Sequence, residues 1–338
     1  MSALQIIWFA LIAILLVGYT ILDGFDLGVG IWYLTVREEA TRRTLMGAIA
    51  PFWDGNEVWL LTAGGATFAA FPPVYASVFS GFYLALILVL LALILRAVSI
   101  EFRAREWVPA LRARWDLAFG VGSALAVLLF GVAFGNLMRG LPLDAEGNFT
   151  GNFFTLLNPF ALLIGVLNVA MIAMHGALYV ALRTEGELQD RATGWARLAG
   201  QLYLPLAAVT VVVAIFTQPH LLANYLALPV LWIAPALALA AIIAALSWNR
   251  QRKCGPAFAA SSTGIALLLV SAVSGLFPTL VPALQHPDWN LTIANSSSSQ
   301  LTLTVMLIVA VVGMAVVASY TIWVYRTFGG KMREEIHY

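Results

Sequence analysis

Long apolar stretches separated by short polar connections run along the whole chain. Each stretch is close in length to the roughly 20 helical residues needed to cross a bilayer core about 30 Å thick. The pattern predicts an all-α integral membrane protein with nine transmembrane helices, over 6–35, 45–71, 75–98, 115–138, 154–182, 198–217, 226–248, 257–283 and 299–326. The first stretch has no basic start and no clear cleavage motif, so we expect a retained span rather than a signal peptide.

The basic residues test this division of the chain independently. Of the 18 Lys and Arg residues, all except Arg139 lie in or beside the connections that follow the first, third, fifth, seventh and ninth predicted spans. Basic residues concentrate in cytoplasmic loops of membrane proteins. The N-terminus is therefore predicted to lie outside and the C-terminus in the cytoplasm.

Composition restricts the class of protein further. Hydrophobic residues make up 61% of the chain and charged residues 10%, and the mean hydropathy is +0.89, which excludes an ordinary soluble domain. The net charge of +1 argues against nucleic acid as a partner. Cys254 is the single cysteine, so the sequence offers neither a disulfide framework nor a Cys-x-x-Cys pair for a metal.

Four acids interrupt the first two predicted spans. Asp23 and Asp26 lie in the first span, and Asp54 and Glu57 in the second. A carboxylate costs several kcal/mol at the centre of a bilayer and usually faces a protein interior or a water path. Asp26 and Asp54 are predicted to lie roughly 15 Å from the cytoplasmic side, and the i, i+3 spacing of each pair predicts four carboxyl groups along one seam. The favoured function is an ion or proton route.

A structural role is the alternative for Asp23 and Glu57, which neighbouring polar side chains such as Asn56 could satisfy by hydrogen bonds. Arg96 closes the third predicted span, where an arginine most often extends to the interface and anchors its helix. It is equally suited to bind an anionic group or to pair with Glu101 at the entrance of an acid path.

The sequence offers little to bind a metal or a haem. His175 is the one histidine inside a predicted span, and no second histidine lies at a comparable depth. We therefore expect an interhelical hydrogen bond there, rather than an iron ligand, and no metal site. Gly24 and Gly28, and likewise Gly131 and Gly135, form small-xxx-small pairs that predict close approach of helices.

Several longer motifs follow one another from the first to the last predicted span. They are DGFDLGVG at 23–30, APFWDGNEVW at 50–59, TAGG at 62–65, FSGFY at 79–83, GVAFGN at 131–136, TGNFF at 150–154 and SSQLTL at 298–303. Together they cover nearly the whole chain, which in these motifs resembles subunit II of bacterial cytochrome bd-type quinol oxidases.

The resemblance implies a haem-free subunit of a terminal oxidase in the bacterial inner membrane. Such a complex oxidises quinol at the outer side and reduces dioxygen to water, with two b-type haems and one d-type haem in subunit I. Subunit II has nine spans, described as two four-helix bundles plus one helix, here 1–150, 151–285 and 286–338. The resemblance leaves open whether small accessory subunits join the complex and whether a quinone binds this chain.

The family pattern also implies roles for individual residues. Asp26 and Asp54 match the acids that carry cytoplasmic protons toward the haem d site, and Glu101 lies near the cytoplasmic entrance of that path. Asp23, Glu57 and Arg96 belong either to the path or to its walls. Trp59 does not belong to the proton path. It matches the position where an oxygen path opens toward lipid, although packing or an interfacial aromatic belt also accounts for a tryptophan there.

A stand-alone proton-coupled secondary transporter is the competing interpretation. Pro205, Pro229 and Pro235 are compatible with the broken helices of such proteins. However, the acid pairs have no counterpart in the second half of the chain. The residues alone leave the two functions open, and the resemblance favours the oxidase subunit.

Overall fold

The structure, a computed structural model, describes residues 1–332 of the 338-residue chain, so Arg333 and His337 of the predicted cytoplasmic tail lie outside the described residues. Its main elements are twelve α-helices. They are α1 (Ala3–Tyr33), α2 (Glu39–Ile49), α3 (Trp53–Ala70), α4 (Pro72–Gly81), α5 (Tyr83–Arg103), α6 (Pro109–Arg139), α7 (Pro159–Arg183), α8 (Gly186–Thr217), α9 (Ala223–Ala227), α10 (Ile233–Arg250), α11 (Cys254–Leu276) and α12 (Gln300–Phe328).

A short antiparallel ribbon lies between α11 and α12. Its strands are β1 (Thr279–Val281) and β2 (Leu291–Thr292), with Thr279 opposite Thr292. The predicted span 257–283 is therefore too long, because the helix ends at Leu276 and the chain continues into the ribbon. Single turns of 3-10 helix occur at Phe153–Leu156, Pro219–Leu222, Pro229–Trp232 and Pro287–Trp289.

Eight helices in the described part of the chain are long and apolar enough to cross a membrane. They are α1, α5, α6, α7, α8, α10 with the turn before it, α11 and α12. The all-helical membrane architecture is thus confirmed. Helix α3 falls outside this set because its 18 residues begin with a polar turn that contains Asp54, Asn56 and Glu57.

The second and third predicted spans are wrong as continuous helices. The segment 45–71 divides into the end of α2 and all of α3, with a break at 50–52. Pro51 causes this break, since it lacks an N–H and its ring would clash with the carbonyl one turn earlier. The segment 75–98 contains a second break at Phe82, between α4 and α5.

Helix α3 nevertheless runs antiparallel to α12 and contacts it near both of its ends. At one end, the Ser298 backbone N–H donates to the carbonyl of Ala70 at 2.9 Å, just before α12 begins. At the other end, the Tyr325 hydroxyl near the end of α12 donates to Asn56 Oδ1 at 3.0 Å. The shorter α3 is therefore joined to α12 near both of its own ends.

The connections with most of the arginines meet at one end of the bundle, which we call the basic end. Ion pairs join them across the sequence, from Arg103 to Glu39 at 2.7 Å and from Arg191 to Glu38 at 3.3 Å. The Lys331 ammonium reaches the carbonyl of Thr184 at 2.6 Å. At the opposite end, the N-terminus contacts the start of α12, and the 140–152 loop contacts the segment around 282.

Glycines allow α1 to pack against α7 with backbone on backbone. A Cβ added to Gly28 would lie 2.3 Å from the carbonyl oxygen of Ile172 and 2.8 Å from the Cα of Gly176. Helices α6 and α7 approach in the same way, since a Cβ on Gly131 would lie 2.7 Å from the Cα of Gly165. The close approach predicted from the small-residue pairs is confirmed, and it fixes the acid-bearing half of α1 at the centre of the bundle.

Candidate functional site

The acids of α1 lie in the interior of the protein. Residues 23–30 are all buried, and the side chains of Asp23 and Asp26 are fully enclosed. A buried carboxyl group must be neutralised, paired or hydrogen-bonded, because the interior cannot replace its lost hydration. The groups that surround these two acids therefore define the site.

Arg96 of α5 is the cation at its centre. Its fully buried guanidinium lies 2.7 Å from Asp23 Oδ1, although off the in-line geometry of a hydrogen bond, and donates to Glu57 Oε1 at 3.0 Å. Helices α1, α3 and α5 thus meet at one ion cluster. Of the predicted alternatives for Arg96, extension to the interface and pairing with Glu101 are wrong, and the guanidinium instead contacts the anionic groups of Asp23 and Glu57.

The geometry of α5 explains why Glu101 cannot take part. It follows Arg96 by five residues, which rotates its side chain by about 140° around the helix. Glu101 is 57% exposed at the basic end and lies 3.9 Å from the guanidinium of Arg105. The residue is near a surface, separate from the buried cluster.

Asp26 has a different set of partners. The Asn56 amide nitrogen donates to Asp26 Oδ2 at 2.7 Å and makes a longer bond of 3.3 Å to the carbonyl of Leu22. The Asn56 carbonyl oxygen accepts from the Tyr325 hydroxyl. Asp26 Oδ1 is enclosed and has no hydrogen-bond partner among residues 1–332. Neither Asn56 nor Tyr325 was predicted as a site residue.

The predicted seam of four carboxyl groups is wrong for Asp54. This side chain is exposed on the outer face of α3 and takes part in none of the ion pairs of residues 1–332. Asn56, two residues later, points about 200° away and is the residue that enters the interior. Three of the four acids therefore share the buried site, and Asp54 lies on the surface beside it.

The charges of the site are unbalanced. Asp23, Asp26 and Glu57 provide three carboxyl groups around the single guanidinium of Arg96. An excess of negative charge is costly away from water, because an unpaired buried ion loses its hydration without compensation. A proton bound to one of the carboxyl groups would relieve this excess of negative charge.

His175 connects three helices and offers no free ring nitrogen. Nδ1 lies 2.7 Å from the Ser261 hydroxyl of α11, and Nε2 lies 3.0 Å from the Ile21 carbonyl of α1. Its ring also stacks on Phe258 at 4.7 Å. The predicted interhelical hydrogen bond is confirmed, and these contacts do not fit an axial haem ligand. Among residues 1–332, no group of three His, Cys, Asp or Glu side chains could hold a metal ion.

Trp59 borders an apolar groove between α1, α3 and α12. The groove has a volume of about 560 Å³. Its walls include Trp8, Leu15, Trp59, Ala66, Met306 and Gly313. The Trp59 ring covers Gly18, where an added Cβ would lie 2.3 Å from the ring. From α3 the groove is lined by Val58, Thr62 and Gly65 besides Trp59 and Ala66, whereas the exposed Asp54 lies outside its lining.

Asp116 organises a second polar cluster at the basic end. It is 4% exposed, accepts hydrogen bonds from the Tyr33 hydroxyl and the Arg103 guanidinium, and pairs with Arg42 at 2.5 Å. The cluster extends to Glu39 at the start of α2. Partial burial acts to raise the pKa of Glu39, but the guanidinium groups of Arg43 and Arg103 hold it below its ordinary value. These contacts attach α2 to α5 and α6, and sequence analysis did not identify them.

Comparisons with known proteins find similarity to one family along nearly the full length of the chain. A family model described as cytochrome bd terminal oxidase subunit II matches residues 4–328. The chain is 40% identical over 367 residues to the cytochrome bd-I ubiquinol oxidase subunit 2 of Escherichia coli strain K12, covering 99% of this chain and 97% of the relative. It is 36% identical over 334 residues to the cytochrome bd ubiquinol oxidase subunit 2 of Bacillus subtilis strain 168, covering 97% and 96%.

A solved structure shares the fold at lower sequence identity. A chain of the bd oxidase from Geobacillus thermodenitrificans superimposes with a TM-score of 0.81 and 16% identity, covering 97% of this chain and 99% of that chain. This likeness applies to the arrangement of the helices.

Proposed function

Because the chain belongs to the cytochrome bd terminal oxidase subunit II family, we propose that it carries cytoplasmic protons toward the oxygen-reducing haem of subunit I and shapes an oxygen path. As a member of this family, it is a multi-pass bacterial inner membrane protein and part of a quinol oxidase complex with a subunit I. The family implies haems in that complex. The comparisons do not favour a stand-alone transporter.

We place nine crossings in the membrane, with the N-terminus outside. The ninth crossing is α3, which runs antiparallel to α12 and is joined to it near both ends. With that crossing, the basic end contains the connections that follow alternate spans, as the positive-inside rule requires of a cytoplasmic side. Helices α1, α3, α5 and α6 then form the first bundle, α7, α8, α10 and α11 the second, and α12 the additional span.

Asp26 is the residue on which the proposed proton path depends. It is fully buried, accepts one hydrogen bond from Asn56 and leaves Oδ1 without a partner among the described residues. A path through hydrocarbon needs sites that bind and release protons in turn. The cluster of three carboxyl groups around Arg96 supplies such sites, in which Asp23 and Glu57 share the guanidinium while Asp26 is not in contact with it.

Asp54 and Glu101 are assigned to the two ends of this path. Glu101 is more than half exposed at the basic end, where it can take protons from water. The exposed carboxyl group of Asp54 on α3 needs a polar neighbour in the membrane, since lipid offers none. A face of subunit I is the neighbour we propose, and Asp54 passes protons across that interface.

The groove beside Trp59 supports the proposed oxygen path. It is lined by apolar side chains and reaches from α1 to α12 along the exposed face of α3. Dioxygen is apolar and partitions into such surfaces. In this assignment Trp59 lies at the wall of the groove and narrows it against Gly18.

Substitutions that remove the charge of an acid test the proton path in the intact oxidase. Asp26→Asn and Asp54→Asn should each lower quinol oxidase turnover at least about tenfold, the scale of a lost proton-transfer group. Haem content should remain near that of the parent complex. Asp288→Asn is the matched control, because Asp288 is 87% exposed in the opposite loop.

Each outcome has a distinct meaning. Normal oxygen consumption by Asp54→Asn would remove Asp54 from the path. Loss of haem from that variant would make Asp54 a structural residue. A fall in turnover shared by Asp288→Asn would show that the assay responds to any lost surface charge.

A further inference from the structure

The Asn56 amide is held in one orientation by three contacts. Its nitrogen donates to Asp26 Oδ2 and to the Leu22 carbonyl, and its oxygen accepts from the Tyr325 hydroxyl. Turning the amide over would place its oxygen against the Leu22 carbonyl, where two acceptors cannot bond. An asparagine has no titratable proton, so Asn56 can orient Asp26 but cannot relay a proton.

Tyr325 is itself held by stacking on one ring and by the attachment of the chain that follows it. Its ring stacks on Phe52 at 4.5 Å, at the break that precedes α3. The chain that follows α12 is attached to the end of α7, where the Met332 backbone N–H donates to the Arg183 carbonyl at 2.6 Å. The Arg183 guanidinium in turn lies 5.4 Å from the centre of the Phe52 ring. The hydroxyl is therefore presented to Asn56 from a fixed position.

We propose that Tyr325 is a positioning residue for Asp26, acting through Asn56. By donating to the Asn56 oxygen, it keeps the amide nitrogen on Asp26 Oδ2 and leaves Oδ1 as the oxygen that exchanges protons. This inference rests on the proposed proton function of Asp26. It adds α12 to the elements that determine the reactivity of the buried acids.

Loss of the hydroxyl has a definite consequence. Without it, the buried Asn56 oxygen has no donor, and an unpaired buried acceptor is unfavourable. The Asn56 amide is then held only by its bonds to Asp26 and to the Leu22 carbonyl, so it is less firmly fixed against Asp26 Oδ2. Asp26 is consequently less precisely positioned, which slows each proton transfer.

The test uses Tyr325→Phe in the complete oxidase, with Tyr320→Phe as the matched control. Tyr320 lies five residues earlier on α12 and is 60% exposed. Two quantities are measured, which are quinol oxidase turnover and the carboxyl C=O band of Asp26 in redox-difference infrared spectra. Asp26→Asn identifies that band by removing it.

Tyr325→Phe should shift the Asp26 band and lower turnover about three- to tenfold, equivalent to one buried hydrogen bond. Tyr320→Phe should change neither. Tyr325→His restores a donor and should return both quantities toward the parent values. If Tyr325→Phe loses its haems, Asn56→Ala replaces it, since the band must also shift when the amide is absent.

An unshifted band with parent turnover in Tyr325→Phe would overturn the proposal. If Asp26→Asn retains full turnover, the proposed proton function of Asp26 is wrong. The position of the Asp26 C=O band in Tyr325→Phe then decides alone whether Tyr325 positions Asp26. If no Asp26 band is visible, turnover decides, and equal turnover in Tyr325→Phe and the parent overturns the inference.

Discussion

Replacing Arg96 with methionine removes the cation from the buried cluster and preserves most of the volume of its side chain. Arg96 and Asp23 are both fully enclosed, and Glu57 is 24% exposed. The variant therefore leaves two carboxyl groups without their counter-charge. Asp23 is the more affected, because water cannot reach it.

The cost follows from the burial of the pair. Removing one partner of a buried ion pair destabilises a protein by about 3–5 kcal/mol, because the remaining charge is uncompensated. For a chain of this length, that corresponds to a fall of about 4–7 °C in the thermal midpoint. Adding Asp23→Asn to Arg96→Met should recover part of this loss, since the amide carries no charge.

The assay is thermal unfolding of the purified oxidase, followed through haem loss and through aggregation of this subunit. Arg105→Met is the control, because Arg105 is 81% exposed and its pair with Glu101 is worth about 0–1 kcal/mol. The reasoning is refuted if Arg96→Met and Arg105→Met have the same thermal midpoint. It is also refuted if Asp23→Asn lowers the midpoint of Arg96→Met further instead of restoring it.

Two further predictions concern the helix contact and the opposite loop. Gly28→Ala places a methyl group against the carbonyl of Ile172 and should lower the stability of the oxidase by about 1–3 kcal/mol. Gly313→Ala, which has open space around it, should leave the stability unchanged. Equal thermal midpoints of the two variants would contradict this prediction. The Asn148 backbone N–H, which donates to Asp144, holds the pKa of that carboxyl below its ordinary value. A lowered folded-state pKa stabilises the loop at neutral pH, and this stabilisation is lost as the pH falls through it. Amide exchange at Asn148, relative to its intrinsic rate, should therefore accelerate as the pH falls below the ordinary aspartate pKa of about 3.9, and Asp144→Asn should abolish that acceleration.

Hydrophobic length and charge placement predicted the membrane architecture because both act over whole segments. A stretch of some 20 apolar residues needs a membrane whatever its neighbours are. The grouping of basic connections at one end likewise follows from short loops and alternating direction. The breaks at Pro51 and Phe82 were missed because 45–71 and 75–98 are apolar enough on average to be interpreted as continuous helices.

The candidate site was predicted by residue type and only partly by arrangement. The motifs contained Asp23, Asp26 and Glu57, but spacing could not determine which side of α3 faces inward. That depends on where the helix begins, and its start at Trp53 turns Asn56 rather than Asp54 toward Asp26. Pro51 is the feature of the sequence that indicates a new helix start here, and with it the orientation of α3.

Contacts between segments that are distant in the chain could not be predicted from the sequence. Arg96 was among the predicted site residues, yet its partners lie 73 and 39 positions earlier and meet it only through packing. Tyr325 is one aromatic residue among many in α12. The cluster around Asp116 joins four segments, and none of its members is distinctive alone.

The exposed carboxyl group of Asp54 also bears on how the oxidase is put together in the cell. An unaccompanied copy of this chain presents that group to lipid, at an energetic penalty that is relieved when a polar face covers it. The penalty distinguishes orphaned from assembled copies.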